Sequence, residues 1–314
     1  MAYAFDPELA PFVEAIPLAD IGDLAKARAN LLALIEPLNS DVDTSGLRIT
    51  DHRVPGPEGA PPVLVRVYEP DSPAPAGGRP ALLDIHGGGF VLGDISMQHG
   101  VAAILARRLD AVVATVEYRL APEHPFPAGV EDCYAALRWM HGEASSLGID
   151  TTRVAVGGQS AGGGLAAAVA LLARDRGGPP LCFQLLGIPE LDHRLETTSM
   201  RTFVDTPMWN RPNAVLSWRY YLGPDPGEVS PYASPAIAED LHGLPPAYVT
   251  AMEFDPLRDE GILYALRLME AGVPVELHTF PGTFHGSGAM VWAGVSRRGA
   301  EEHQEVLRRA LRVE

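Results

Sequence analysis

Val154-Ala155-Val156, then Gly158-Gln159-Ser160-Ala161-Gly162, then an Ala- and Leu-rich run from Gly163 to Arg174 form the stretch that decides the fold. The first piece reads as a short buried strand and the last as a helix. A serine between them, flanked by small residues, stands at a sharp strand-to-helix turn that lifts its hydroxyl out of the backbone. There the oxygen is exposed and faces the positive end of the helix dipole. A pattern this short arises by chance in a chain with 32 glycines, so its context has to support it.

His86-Gly87-Gly88-Gly89-Phe90 supplies that context, because it follows another strand-like run, Ala81-Leu82-Leu83-Asp84-Ile85. Consecutive glycines leave backbone N–H groups uncovered by any Cβ, so the loop can approach a ligand and aim donors at a developing oxyanion. Further strands are expected at Val63 to Tyr68, Ala111 to Val116, Phe183 to Leu186, Ala247 to Thr250 and Val275 to Phe280. Helical stretches at Gly100 to Leu109, Val130 to His141, Gly163 to Arg174 and Glu260 to Ala271 separate most of them. Short apolar strands alternating with helices predict an α/β fold with a mostly parallel sheet covered on both faces. Ligands of such sheets bind beyond the carboxyl ends of the strands.

A serine hydroxyl needs a base, and the base needs an orienting carboxylate. Among ten histidines, His285 follows the strand expected to end at Phe280 and lies in the loop Pro281-Gly282-Thr283-Phe284. His86 belongs to the glycine loop and reads as a backbone support; His303, among Glu301, Glu302 and Glu305, reads as solvated helix surface. Asp255 ends the strand containing Tyr248 and Val249, which gives the chain order serine, acid, histidine as Ser160, Asp255, His285. Glu253, Asp259 and Glu260 stand close by in sequence, the last two at a helix start where the dipole alone favours acids.

Acidic residues outnumber basic ones 40 to 24, a formal charge of −16 that disfavours nucleic acid and anionic membrane surfaces as partners. The N-terminus has no basic region before an apolar core, and no run approaches bilayer length. A cytoplasmic, soluble protein is expected, with the oligomeric state open between monomer and homo-oligomer. Cys133 and Cys182 read as two reduced core residues. No metal-ligand or nucleotide-loop pattern occurs, so neither metal nor cofactor is expected.

The motifs together resemble the hormone-sensitive-lipase-like family of α/β-hydrolases, mainly bacterial carboxylesterases. Glu117-Tyr118-Arg119-Leu120-Ala121-Pro122-Glu123, Asp255-Pro256-Leu257-Arg258-Asp259-Glu260 and His285-Gly286 carry the resemblance beyond the two loops, from about residue 60 onward. Ile188-Pro189-Glu190-Leu191-Asp192, Gln159 and Phe280 to His285 are most similar to an acetylester-hydrolase branch. The resemblance implies an α/β-hydrolase domain over residues 46–314, a cap made of residues 1–45 and an insertion at about 196–221, and a small-molecule ester as substrate. It also implies Ser160, Asp255 and His285 as the triad and Gly88, Gly89 and Ala161 as oxyanion donors. Phe90, Trp209 and Tyr221 are expected as pocket walls. Two departures stand out: Gln159 where the family commonly has Asp, and Gly286-Ser287 after the histidine. An amidase or peptidase with the same triad, or a ligand-binding relative without catalysis, are the competing readings.

Overall fold

The computed structural model describes residues 3–16 and 20–313. In the N-terminal segment the sequence predicts short helices broken at Pro7, Pro11, Pro17 and Pro37; Pro17 lies outside the described residues, as do Met1, Ala2, Leu18, Ala19 and Glu314. The eight strands among the described residues are β1 (Leu47–Val54), β2 (Val63–Pro70), β3 (Arg79–Ile85), β4 (Val112–Glu117), β5 (Ile149–Gln159), β6 (Phe183–Gly187), β7 (Ala247–Phe254) and β8 (Val275–Phe284). The helices are α1 (Leu24–Ser40), α2 (His99–Arg108), α3 (Ala128–Gly142), α4 (Ala161–Asp175), α5 (Thr198–Thr202), α6 (Arg211–Leu222), α7 (Arg258–Glu270) and α8 (Gly294–Ala310). The strands form one sheet in the order β1-β2-β4-β3-β5-β6-β7-β8. β1–β2 and β2–β4 are antiparallel, and every other pairing is parallel. This is the α/β-hydrolase fold.

Alternation along the central strands divides the core. Ala81, Leu83 and Ile85 of β3 face the layer that contains α3, α4 and α7, while Leu82 faces the layer of α2 and α8. Cys133 lies in the first layer and Cys182 against the second, both as free thiols whose ionisation burial disfavours. A third apolar cluster gathers Leu9, Ile188, Met252, Phe280, Phe284 and Met290 at the carboxyl end of β8, so the N-terminal segment packs beside the end of the sheet.

Several boundaries differ from the sequence reading. β1 was not anticipated, because its Arg48, Asp51, His52 and Arg53 hide a half-buried edge strand; cross-strand ion pairs Arg48–Glu69 and Asp51–Arg66 sit directly in register with β2. α8, read only as solvated helix surface around His303, has a buried stripe with Val295, Val306 and Leu307 that its charged sequence masks. His303 is partly buried on this helix, not solvated, and burial lowers its imidazole pKa to about 4. Pro37 does not end α1, which runs on to Ser40. β8 does not stop at Phe280: Gly282 N–H donates to Glu253 Oε2 at 2.6 Å and Phe284 pairs with Phe254.

The connection after β4 is fastened by an enclosed ion pair. The carboxylate of Asp132 on α3 accepts from the Arg119 backbone N–H at 3.0 Å and from its Nε and Nη2 at 2.8 Å each. Asp132 is buried and Arg119 three-quarters so, which removes the water that could substitute for either partner. Asp132→Ala should therefore lower the free energy of unfolding by roughly 3 kcal/mol in chemical denaturation. Arg309→Ala, which breaks the half-exposed pair with Glu276, should cost less than about 1 kcal/mol. Equal losses would contradict this account of the β4–α3 connection.

Candidate active site

The turn between β5 and α4 places Ser160 at φ 59° and ψ −124°, a strained conformation for a residue with a Cβ. Three backbone bonds hold it there. Ser160 N–H donates to Gly187 O at 2.8 Å, and Ser160 O accepts from Gly164 N–H and Glu190 N–H, each at 3.0 Å. Close approach explains the small neighbours: a Cβ on Gly162 would lie 2.0 Å from Ile85 O and 2.6 Å from His86 O. The helix start and the end of β3 therefore meet backbone to backbone.

Asp255 follows β7 directly and His285 follows β8 directly, so two adjacent parallel strands deliver them to the same end of the sheet. His285 Nε2 lies 2.9 Å from Ser160 Oγ, and its Nδ1 lies 2.7 Å from Asp255 Oδ2. Asp255 is fully buried, and its Oδ1 accepts from Leu257 N–H at 2.9 Å. With both oxygens engaged the carboxylate is fixed, Nδ1 carries the proton, and Nε2 is left as an acceptor toward Ser160. Glu253, the nearby alternative, is turned to Gly282. Asp259 accepts from Ser199 N–H and Arg258, tying α5 to the start of α7.

The glycine loop runs beside the elbow with its carbonyls secured. His86 Nδ1–H donates to Gly87 O at 2.8 Å; burial lowers this ring's pKa to about 4, so it is neutral. Gly88 O accepts from Val91 N–H and Leu92 N–H at 3.1 and 2.9 Å, and Gly89 O accepts from Ser217 Oγ at 2.8 Å. A peptide is planar and trans, so pinning its oxygen aims its N–H the opposite way. The Gly88 and Gly89 N–H groups are aimed in this manner, and the Ala161 N–H belongs to the peptide whose oxygen is pinned at Ser160. Among the described residues none of these three N–H groups is committed to another acceptor.

Trp209 lies beside the triad, its ring centre 6.0 Å from that of His285, and a Cβ on Gly89 would meet it at 2.4 Å. Phe90 and Tyr221, expected as walls with it, stack on each other at 4.0 Å in a buried group that includes Trp218. One face of each ring is taken by the other. Gln159 packs its amide over the Cα of Gly187. Sequence reasoning gave no role to Glu190 and Ser217, which are buried against the loop and the elbow. The available signal was an acid in the apolar run Gly187-Ile188-Pro189-Glu190-Leu191, directly after a buried strand.

Among the described residues no cluster of three or more His, Cys, Asp or Glu is arranged to hold a metal ion, and no helix is long and apolar enough to cross a membrane. A family model described as the alpha/beta hydrolase fold matches residues 82–288. The chain is 54% identical to a bacterial heroin esterase of known structure, over 98% of each chain, with a TM-score of 0.95. It is 41% identical to the carboxylesterase NlhH of Mycobacterium tuberculosis, over 90% of this chain and 88% of that protein. The esterase LipI of the same organism is 39% identical over the same shares.

A fluorophosphonate probe should label one peptide, the one containing Ser160. Asp255→Asn should slow that labelling by several orders of magnitude, on the scale of the ~10⁴-fold loss such tautomer-setting carboxylates show, while Glu253→Gln should slow it less than about 10-fold. The reverse ranking would show that Glu253 orients the histidine.

Proposed function

The chain belongs to the hormone-sensitive-lipase-like family of α/β-hydrolases, and from that premise we propose that it hydrolyses short-acyl esters of small molecules, acetyl to butyryl, through an acyl-enzyme on Ser160. Carboxylic ester hydrolysis is the activity its relatives are named for, and it is the activity of this enzyme. The observation that carries the mechanism is the chain of contacts from Ser160 Oγ through His285 to buried Asp255, at 2.9 and 2.7 Å.

His285 takes the Ser160 proton as Oγ attacks the ester carbonyl, and Asp255 stabilises the imidazolium that forms. The carbonyl oxygen becomes an oxyanion facing the N–H groups of Gly88, Gly89 and Ala161. These donors are already oriented, so little reorganisation is needed at the moment of reaction, and each is worth roughly 10²-fold or more in rate. His285 then gives its proton to the departing alcohol. Water enters, loses a proton to His285, and hydrolyses the acyl-enzyme along the same path. In the non-catalytic reading the base would be dispensable; here His285 is present and hydrogen-bonded on both nitrogens.

The short-acyl preference rests on how little space surrounds the nucleophile. Ser160 and His285 are only 8% and 7% exposed. Trp209 stands over the glycine loop, and Met208 approaches Gly286 closely. The N-terminal segment adds Phe5 against Phe284, at 5.3 Å between ring centres, and Asp6 N–H bonds to Gly282 O at 2.8 Å. We assign residues 3–16, α1 and the α5–α6 insertion as the cap. Arg28 of α1 fastens it, donating to Val91 O at 2.8 Å, Ala121 O at 3.0 Å and Glu123.

An extra acyl methylene gains at most about 0.8 kcal/mol, and only while there is room for it. Across acetyl, butyryl, octanoyl and palmitoyl esters of one alcohol, kcat/KM should peak at acetyl or butyryl; a maximum at palmitoyl would overturn the small-site reading. The sequence shows no amphipathic anchor, yet the fold brings Phe12 and Trp292 together on the surface, 5.2 Å apart and half-exposed. The same series should be run across the solubility limit of a triacetyl or tributyryl glycerol. No jump in rate is expected when droplets form, because a two-residue contact is too small to hold the enzyme at an oil surface.

A further inference from the structure

Glu190 follows β6 and reaches both halves of the site. Its backbone N–H donates to Ser160 O at 3.0 Å, and that oxygen shares a planar peptide with the Ala161 N–H. Its side chain is fully buried, with Oε1 3.1 Å from Ser217 Oγ. Ser217, fully buried on α6, lies in turn 2.8 Å from Gly89 O. One residue thus touches the elbow directly and the glycine loop through a hydroxyl.

The proton count decides what the carboxyl does. The Ser217 hydroxyl has one proton and two oxygen neighbours, Gly89 O and Glu190 Oε1. A carbonyl can only accept, so if the loop is to be held, the Ser217 proton goes to Gly89 O. The contact with Glu190 then needs a proton from the carboxyl. Its surroundings favour the acid form: burial foremost, with the Asp255 carboxylate disfavouring a second charge, raises its pKa to about 8. The ordered chain is Glu190 O–H to Ser217 Oγ, then Ser217 O–H to Gly89 O.

We propose that Glu190 is a positioning residue for the oxyanion donors, acting by its N–H on the Ser160 carbonyl and by its carboxyl, through Ser217, on the Gly89 carbonyl. It fixes the elbow and the glycine loop relative to each other, so that their N–H groups converge on one oxygen. Through Ser217 it also makes α6 part of the catalytic frame as well as of the cover. The proposal rests on the ester-cleavage reading for its effect on rate, but not for its effect on the loop.

The test compares Ser217→Ala, Glu190→Leu and Glu190→Gln with the wild-type enzyme. The amide of Gln can donate to Ser217 as the neutral acid does, so Glu190→Gln should stay within about 3-fold of wild type. Ser217→Ala and Glu190→Leu should each lower kcat on an acetyl ester by about 10-fold, less than deleting an oxyanion donor outright costs. KM should change less than about 2-fold, since the lost contact matters only in the transition state. Hydrogen exchange of the peptide spanning residues 86–92 should speed up in Ser217→Ala and Glu190→Leu and not in Glu190→Gln. If Glu190→Leu does not fold, Ser217→Ala and Glu190→Gln still decide. Unchanged exchange in Ser217→Ala, or a Glu190→Gln enzyme as impaired as Ser217→Ala, would overturn the proposal. A wild-type chain inert toward esters would sink the functional reading alone, and the exchange data would still judge this one.

Discussion

The contact between Gly162 and the carbonyl of Ile85 is the constraint on which the site depends. The backbone of α4 rests against the end of β3 with no room for a Cβ, at 2.0 Å from the oxygen to where one would stand. That proximity brings the strained serine turn and the glycine loop into one assembly, because the elbow begins α4 and the loop begins where β3 stops. Neither loop could be shifted without opening the gap between the two central strands. Strain at Ser160 persists because strand pairing, helix packing and three backbone hydrogen bonds oppose its release.

The parallel sheet adds the other two groups by simple topology. β5, β7 and β8 all point the same way, so their carboxyl ends present Ser160, Asp255 and His285 on one side of the molecule. The distances among them come from strand spacing, with β6 filling the interval between serine and acid. What the loops contribute is orientation: Leu257 N–H sets the carboxylate, the carboxylate sets the ring, and the ring faces the hydroxyl.

Where sequence could and could not speak follows from what each feature depends on. The elbow, the glycine loop and the chain order of Ser160, Asp255 and His285 are local patterns, and the structure brings those residues together. The parallel sheet was legible because its inner strands are buried on both faces and read as apolar runs. β1 was illegible because its edge positions carry charges whose partners, Glu69 and Arg66, are known only once the register is known, and the buried stripe of α8 was hidden among its charged residues. Phe90 and Tyr221 were placed by their positions after the glycine loop and in the cap insertion, and only the packed molecule shows their 4.0 Å stack. Glu190 could be noticed as an odd acid, but its link to Gly89 spans α6 and is a property of the packed molecule.

The central claim is that ester cleavage passes through a covalent bond to Ser160. Rapid acid quenching of the enzyme with an activated acetyl ester, followed by peptide mass spectrometry, tests it most directly. The account predicts a single acetyl adduct on the peptide containing Ser160, formed and lost at rates that match turnover and accumulating in a variant that deacylates slowly. An adduct on another residue, or full turnover with no adduct at any quench time, would contradict it.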